Sequence, residues 1–145
     1  MKDFEIRRIK TSDWKDIHEL NVKMGYNYEA EKVERRIQSV LDASTDILLV
    51  LEVEGKVVGY VHGTPYNTLY TERMVNIIAF VFTVEYRECK EMTDAILSTF
   101  EKESKRNGFS GVRMSANSDR VILHGIMPDN GYESNRNQKH YIKVF

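Results

Sequence analysis

Asn76-Ile77-Ile78-Ala79-Phe80-Val81-Phe82 runs directly into Thr83-Val84-Glu85-Tyr86-Arg87-Glu88-Cys89-Lys90-Glu91-Met92-Thr93, and residues 94–107 follow with apolar residues at helical spacing. An apolar run, a short polar connection and an amphipathic stretch read as strand, turn and helix. The start of such a helix leaves backbone N–H groups without intrahelical partners, and its dipole adds partial positive charge. A junction of this kind attracts anions. The rest of the chain must supply a sheet for the strand and a face for the helix.

Upstream, residues 47–53 form an apolar strand candidate, Glu54-Gly55 is a hairpin signal, and residues 56–64 return as the partner strand. A polar loop over 65–72 leads to the next strand, 74–84. Nearer the start, residues 4–9 read as a short strand. Thr11-Ser12-Asp13 offers cap oxygens for a first helix over about 12–24, with Trp14, Ile17, Leu20 and Met24 on one face and Gly25 at its end. A second helix, about 29–43, carries Val33, Ile37, Val40 and Leu41 as its stripe, and Ser44-Thr45-Asp46 breaks it.

Downstream, the third helix covers about 91–106, burying Met92, Ala95, Ile96 and Phe100 and ending at Asn107-Gly108. Residues 111–116 are a strand. Asn117-Ser118-Asp119 caps a short helix that Pro128 cuts off. Residues 132–134 and 139–145 read as two final strands. The order β-α-α-β-β-β-α-β-α-β-β predicts one α+β domain over 1–145. Its central mixed, mostly antiparallel sheet has about seven strands, with about four helices shared between both faces.

Composition narrows the function classes. Charged residues make up 30% and hydrophobic ones 41%, an ordinary globular balance, and the net charge of -1 gives no field for nucleic acid or an anionic membrane. One cysteine, Cys89, excludes an internal disulfide and a multi-cysteine zinc site. The longest apolar run, 75–84, is too short to span a bilayer, and the first residues lack an apolar signal region. The expectation is a cytoplasmic protein without nucleic-acid or membrane partners. The four histidines lack metal-ligand spacing, so no metal is expected.

The element order resembles that of the GCN5-related N-acetyltransferase (GNAT) family. The hairpin Gly55-Lys56-Val57-Val58-Gly59-Tyr60 and the segment from Gly111 through Asn117-Ser118-Asp119-Arg120 to Asn130-Gly131-Tyr132-Glu133 carry the likeness. The resemblance implies acetyl-coenzyme A as co-substrate. Its pantetheine arm would pair with the backbone of Phe82, Thr83 and Val84. Its pyrophosphate would lie over Arg87, Glu88, Cys89, Lys90, Glu91, Met92 and Thr93, and Asn117 would contact the cofactor.

Three departures accompany the likeness. The family's loop pattern, Gln/Arg-x-x-Gly-x-Gly/Ala, reads Arg87-Glu88-Cys89-Lys90-Glu91-Met92 here, so Lys90 and Met92 replace glycines where backbone approaches phosphate. Met127 stands where the family often has a tyrosine acid. Asn76 and Ile78 are the positions for its glutamate base. No catalytic residue is assigned. His62 and His124 are candidate bases beside their structural reading, and Tyr26, Tyr28, Tyr66 and Tyr70 are candidate walls of an amine site. Cys89, between Arg87 and Lys90 at a helix start, has the setting of a reactive thiol but no base or acceptor nearby. The resemblance implies acetyl transfer to a primary amine of a small molecule or peptide. The alternative is a catalytically impaired coenzyme A-binding or regulatory module. A homodimer stays open.

Overall fold

A computed structural model describes residues 2–43 and 45–145 of the chain. Five strands form one sheet in the order β1-β2-β3-β4-β5. They are β1 (Phe4–Arg8), β2 (Ile47–Val53), β3 (Lys56–Tyr66), β4 (Met74–Phe82) and β5 (Gly111–Met114). The first four pair antiparallel, and β5 joins β4 in parallel. The helices are α1 (Trp14–Lys23), preceded by a 3-10 turn at Thr11–Asp13, α2 (Ala30–Ala43), α3 (Lys90–Arg106) and α4 (Val121–Asp129). Among the described residues no helix is long and apolar enough to cross a membrane.

Two apolar clusters sandwich the sheet. Ile17 and Leu20 of α1 and Val33 and Ile37 of α2 pack with Leu48, Val50, Val57 and Val81 on one face. Met92, Ile96, Leu97 and Phe100 of α3 and Leu123 of α4 pack with Leu49, Leu51, Val61, Val75, Ile77 and Phe80 on the other. β2 therefore feeds both clusters by simple alternation, which is why it reads as an unbroken apolar run. Each such fully buried side chain contributes roughly 1.5–3 kcal/mol. Glu54 and Gly55 both take positive φ, 50° and 79°, which closes the β2–β3 turn as the sequence predicts.

Glycine admits two aromatic rings to the core. A Cβ on Gly59 would lie 2.4 Å from Phe82 Cδ1, and one on Gly63 would lie 2.4 Å from Phe100 Cζ. Phe82 meets Phe80 edge-on at 5.1 Å between ring centroids. Two small residues on β3 thus fix how closely β4 and α3 approach it.

At the N-terminal edge, the Arg7 guanidinium donates to both Asp13 carboxylate oxygens at 2.9 Å and to Glu52 at 3.0 Å. The backbone N–H of Lys10 also donates to Asp13, at 2.8 Å. Asp13 so ties the 3-10 turn to β1 and β2 instead of capping α1 with its side chain. Burial opposes its ionisation, but the Arg7 and Lys10 hydrogen bonds outweigh it and hold the carboxyl below its ordinary 3.8.

Several boundaries differ from expectation. Ser44 lies outside the described residues. α4 continues through Pro128 to Asp129 rather than stopping before it. The proline forgoes one intrahelical hydrogen bond, and the helix ends one residue after it. Gly131 at φ 87° closes it, with the Tyr132 N–H on the Met127 carbonyl at 3.1 Å. The Tyr132 hydroxyl then donates to Glu101 of α3 at 2.6 Å.

The sheet has five strands and not the expected seven. Residues 132–145 carry no ladder among the described residues. Strand-like alternation is a local property, but a strand needs a partner edge. Just beyond the end of β5, Ser115 Oγ donates to Gln138 Oε1 of this segment at 3.3 Å. Tyr141, Ile142, Val144 and Phe145 are all at least 78% exposed.

Two outcomes test this account. Gly63→Ala is expected to lower unfolding free energy by about 1–3 kcal/mol in urea denaturation, since the added methyl would collide with the fully buried Phe100 ring and with Val75. Asp13→Ala is expected to cost about 2–3 kcal/mol at pH 7. The depressed folded pKa makes Asp13's contribution fully present above 3.8 and lost as pH falls through the folded value. The gap between wild type and Asp13→Ala therefore narrows as the pH falls below the ordinary carboxylate range; a gap that is independent of pH there contradicts the assignment.

Candidate functional site

The site begins where two strands part. β4 and β5 pair only from Met74↔Gly111 to Ile77↔Met114. On the other edge of β4 the register shifts between His62/Gly63, whose partners are Ala79 and Ile77, so Ile78 is an extra residue. A bulge bends its strand and re-aims the residues beyond it. β4 then stays with β3 as far as Phe82↔Gly59 while β5 ends. From Ile78 onward one edge of β4 faces an opening instead of a strand.

Two arginines occupy that edge. Arg120, the residue before α4, donates Nη2 to the Phe80 carbonyl at 2.7 Å. Arg87, in the turn after β4, donates Nη2 to the Phe82 carbonyl at 3.4 Å. Neither forms an ion pair among the described residues. Burial lowers the Arg120 pKa, and the nearby Arg87 charge adds to that effect while Tyr26 opposes it.

The connection to α3 is a compact turn. The Thr83 carbonyl accepts the N–H groups of Tyr86 at 3.0 Å and Arg87 at 3.1 Å, and Cys89 N–H reaches the Tyr86 carbonyl at 2.9 Å. Cys89 is the extended N-cap residue of α3, half-buried against the core. Beyond it, Lys90 and Glu91 N–H have no backbone acceptor among the described residues. Thr83 Oγ1 is buried without a hydrogen-bond partner among them.

The expected loop residues divide. Met92 and Thr93, each 1% exposed, point into the core, so the Met92 side chain does not narrow a phosphate cradle. The Thr93 hydroxyl donates to the Cys89 and Lys90 carbonyls. Lys90 is turned aside by Asp94 at 2.6 Å, and Asp94 is also held by Asn130 at 2.9 Å. Phe82 offers only its backbone, its ring being buried. Val84, Glu88 and Glu91 are exposed. Asn117 is exposed in the loop before α4, and its carbonyl lies 2.7 Å from His124 Nε2.

Alongside the opening lies a cavity of about 340 Å³ lined by Asn21, Met24, Tyr26, Tyr28, Tyr60, Ile78, Ala79, Phe80, Val81 and Arg120. The half-exposed rings of Tyr26 and Tyr28 form its rim. The Tyr60 hydroxyl donates to Asn21 Oδ1 at 2.7 Å, and burial, with the Tyr26 hydroxyl nearby, pushes its pKa up to about 12. Tyr60 is thus a proton donor near neutral pH, never a base. Among the described residues no carboxylate and no histidine lines the cavity.

The other candidates sit elsewhere. His62 pairs with Asp46 at 2.8 Å. The Asn76 amide accepts from Arg113 at 2.7 Å, and the Arg113 guanidinium stacks on Tyr66 at 4.2 Å. Met127 packs against the core. Tyr70 is exposed. Sequence reading named the rim tyrosines but missed Asn21, Tyr60 and above all Arg120. Its signal was faint: a lone arginine after the cap cluster Asn117-Ser118-Asp119, with no acid at helical spacing beyond it.

No family model and no curated protein matches the sequence. Solved structures do. Glucosamine-6-phosphate N-acetyltransferase from Arabidopsis thaliana superposes with a TM-score of 0.81 at 16% identity, over 97% of this chain and 99% of that one. A GNAT family acetyltransferase from Staphylococcus aureus matches at 0.78 and 21% identity, over 99% and 100%. The aminoglycoside N-acetyltransferase AAC(6′)-Iy in complex with CoA matches at 0.83 and 11%, over 99% and 96%. Full-length superposition at such identities speaks for architecture, and the chain has the fold of the GNAT acetyltransferases.

Proposed function

We propose that this protein is an acetyl-coenzyme A-dependent N-acetyltransferase acting on a primary amine. The observation that carries the reading is the opening along β4 beside a cavity, with the Phe80 and Phe82 carbonyls on its edge and the orphaned Thr83 hydroxyl at its end. These groups suit a ligand with amide N–H donors. The Arg87 guanidinium and the Lys90 and Glu91 N–H groups suit its phosphates. The two lost glycines weigh less than the sequence implies, because Met92 turns inward and Lys90 lies over Asp94.

Acetyl-coenzyme A supplies an acetyl group already activated as a thioester. The protein's part is then mainly to hold the amine against it. The cavity aligns an amine between the tyrosine rim and β4, and orientation of this kind alone supplies several kcal/mol. The Tyr60 hydroxyl and Asn21 fix one polar wall. With no carboxylate or histidine on the walls, the acceptor enters as the free amine. The absence of a positioned base costs about 10²–10⁴-fold relative to sites that have one.

A specific observation supports the alternative of an impaired coenzyme A-binding protein. Arg120 already fills the Phe80 carbonyl. The two readings separate in one experiment, calorimetric titration with acetyl-coenzyme A followed by thiol release over an amine panel. Micromolar binding with release is expected, at a rate that climbs with pH until the acceptor's own pKa. Binding without release leaves the impaired module, and no binding at millimolar cofactor removes both. Thr83→Val is expected to leave melting temperature unchanged or higher, since it removes an unpaired buried hydroxyl, and to weaken cofactor binding about fivefold. Unchanged affinity places the ligand away from the end of β4.

A further inference from the structure

The charges around the cavity say what kind of amine it takes. Arg120 is the one ionisable group of fixed charge among the lining residues, and it faces the cavity with only the Phe80 carbonyl as partner. Its neighbour Asp119 lends some opposing charge but forms no ion pair with it among the described residues, and a partly buried guanidinium so weakly compensated is held at a cost that an anion would offset. Among the described residues no carboxylate lines the walls, so an ammonium there would meet tyrosine rings but no opposite charge.

A second, independent feature continues the pattern outward. Tyr28 on the rim also borders a groove of about 360 Å³ whose other walls are Lys32, Arg35, Arg36 and Ser39 of α2. Arg36 donates to the Tyr28 hydroxyl at 3.1 Å, and the Lys32 and Arg36 cations lie 5.9 and 5.8 Å from the Tyr28 ring centroid. Lys32 has Glu29 at 3.3 Å, while Arg35 and Arg36 have no ion pair among the described residues. The entrance and the inner wall are therefore both cationic in a protein whose net charge is -1. That local field draws anions inward and repels polycations.

We propose that the acceptor is an amine that also bears an oxyanion group, a carboxylate or a phosphate, and that Arg120 binds this group inside the cavity. The inference deepens the acetyl-transfer reading and rests on it. A guanidinium binds either oxyanion through paired N–H donors, so the shared chemistry is the anion and not its source. On entry the anion takes the Arg120 donors, and the amine is left toward β4. Polyamines and other polycationic amines are disfavoured on the same ground.

Calorimetry of the full chain with matched pairs tests this without turnover: tyrosine against tyramine, O-phosphoethanolamine against ethanolamine, and spermidine as the polycation. The anion-bearing member is expected to bind about tenfold or more tighter. The ratio is expected to collapse toward one in Arg120→Gln and to survive in Arg120→Lys, with melting temperature checked for both. Equal binding within the pairs, preference for spermidine, no binding by either anionic amine at millimolar concentration, or a ratio that survives Arg120→Gln each overturns the proposal. So does an Arg120→Gln variant that loses acetyl-coenzyme A affinity and keeps the acceptor ratio, since that assigns the arginine to the co-substrate. Thiol release on the same samples scores the enzyme reading separately. Discrimination without release keeps the anion site and removes the enzyme, and release without discrimination does the reverse.

Discussion

The structure turns on a single extra residue in β4. The strand has to satisfy β3 along one edge as far as Phe82, yet it can stay with β5 only as far as Ile77. Ile78 resolves the conflict as a bulge. Backbone hydrogen-bonding groups are obligatory partners, so a strand that abandons one neighbour must find other donors for the exposed carbonyls. Arg120 and Arg87 are those donors here. The bulge thus creates the opening, the opening calls in the arginines, and one of them, Arg120, sets the charge of the cavity beside it.

Legibility in the sequence tracks the range of the forces involved. The Glu54-Gly55 turn, the helical stripe Val33/Ile37 and the long apolar β2 are local patterns, and each appears where the sequence puts it. The two final strands read at 132–134 and 139–145 do not form among the described residues, because pairing is a question of which edge is within reach. The bulge at Ile78 was invisible, since nothing in Asn76-Ile77-Ile78-Ala79 marks it by composition. Asp13 was read as a helix cap; its carboxylate does accept the Lys10 N–H at the 3-10 turn, but it makes no cap bond to α1 and also binds Arg7, whose second partner, Glu52, lies far along the chain.

The candidate site was half legible for the same reason. The strand–turn–helix junction stood out from periodicity alone, and the rim tyrosines from their loop positions. Met92 was read in two ways, on the buried stripe of α3 and as a side chain narrowing the cradle, and its 1% exposure puts it with Ile96 and Phe100, as the helical stripe implied. Arg120 and Tyr60 matter through contacts to residues roughly forty positions away, to Phe80 and Asn21. Sequence spacing carries no trace of such contacts.

The two ends of α4 are held very differently. Its C-terminal end is anchored on α3 by Asn130 to Asp94 and by Tyr132 to Glu101. Its N-terminal end rests on Arg120 against the Phe80 carbonyl and on His124 against the Asn117 carbonyl. In mechanical terms the helix is a cantilever, clamped at one end and leaning on the sheet at the other. A group that competes for the Phe80 carbonyl unloads the free end while the clamp stays shut. Leu123, one turn further on, is packed into the core, so the stretch of α4 free to yield is the short one that bears Arg120.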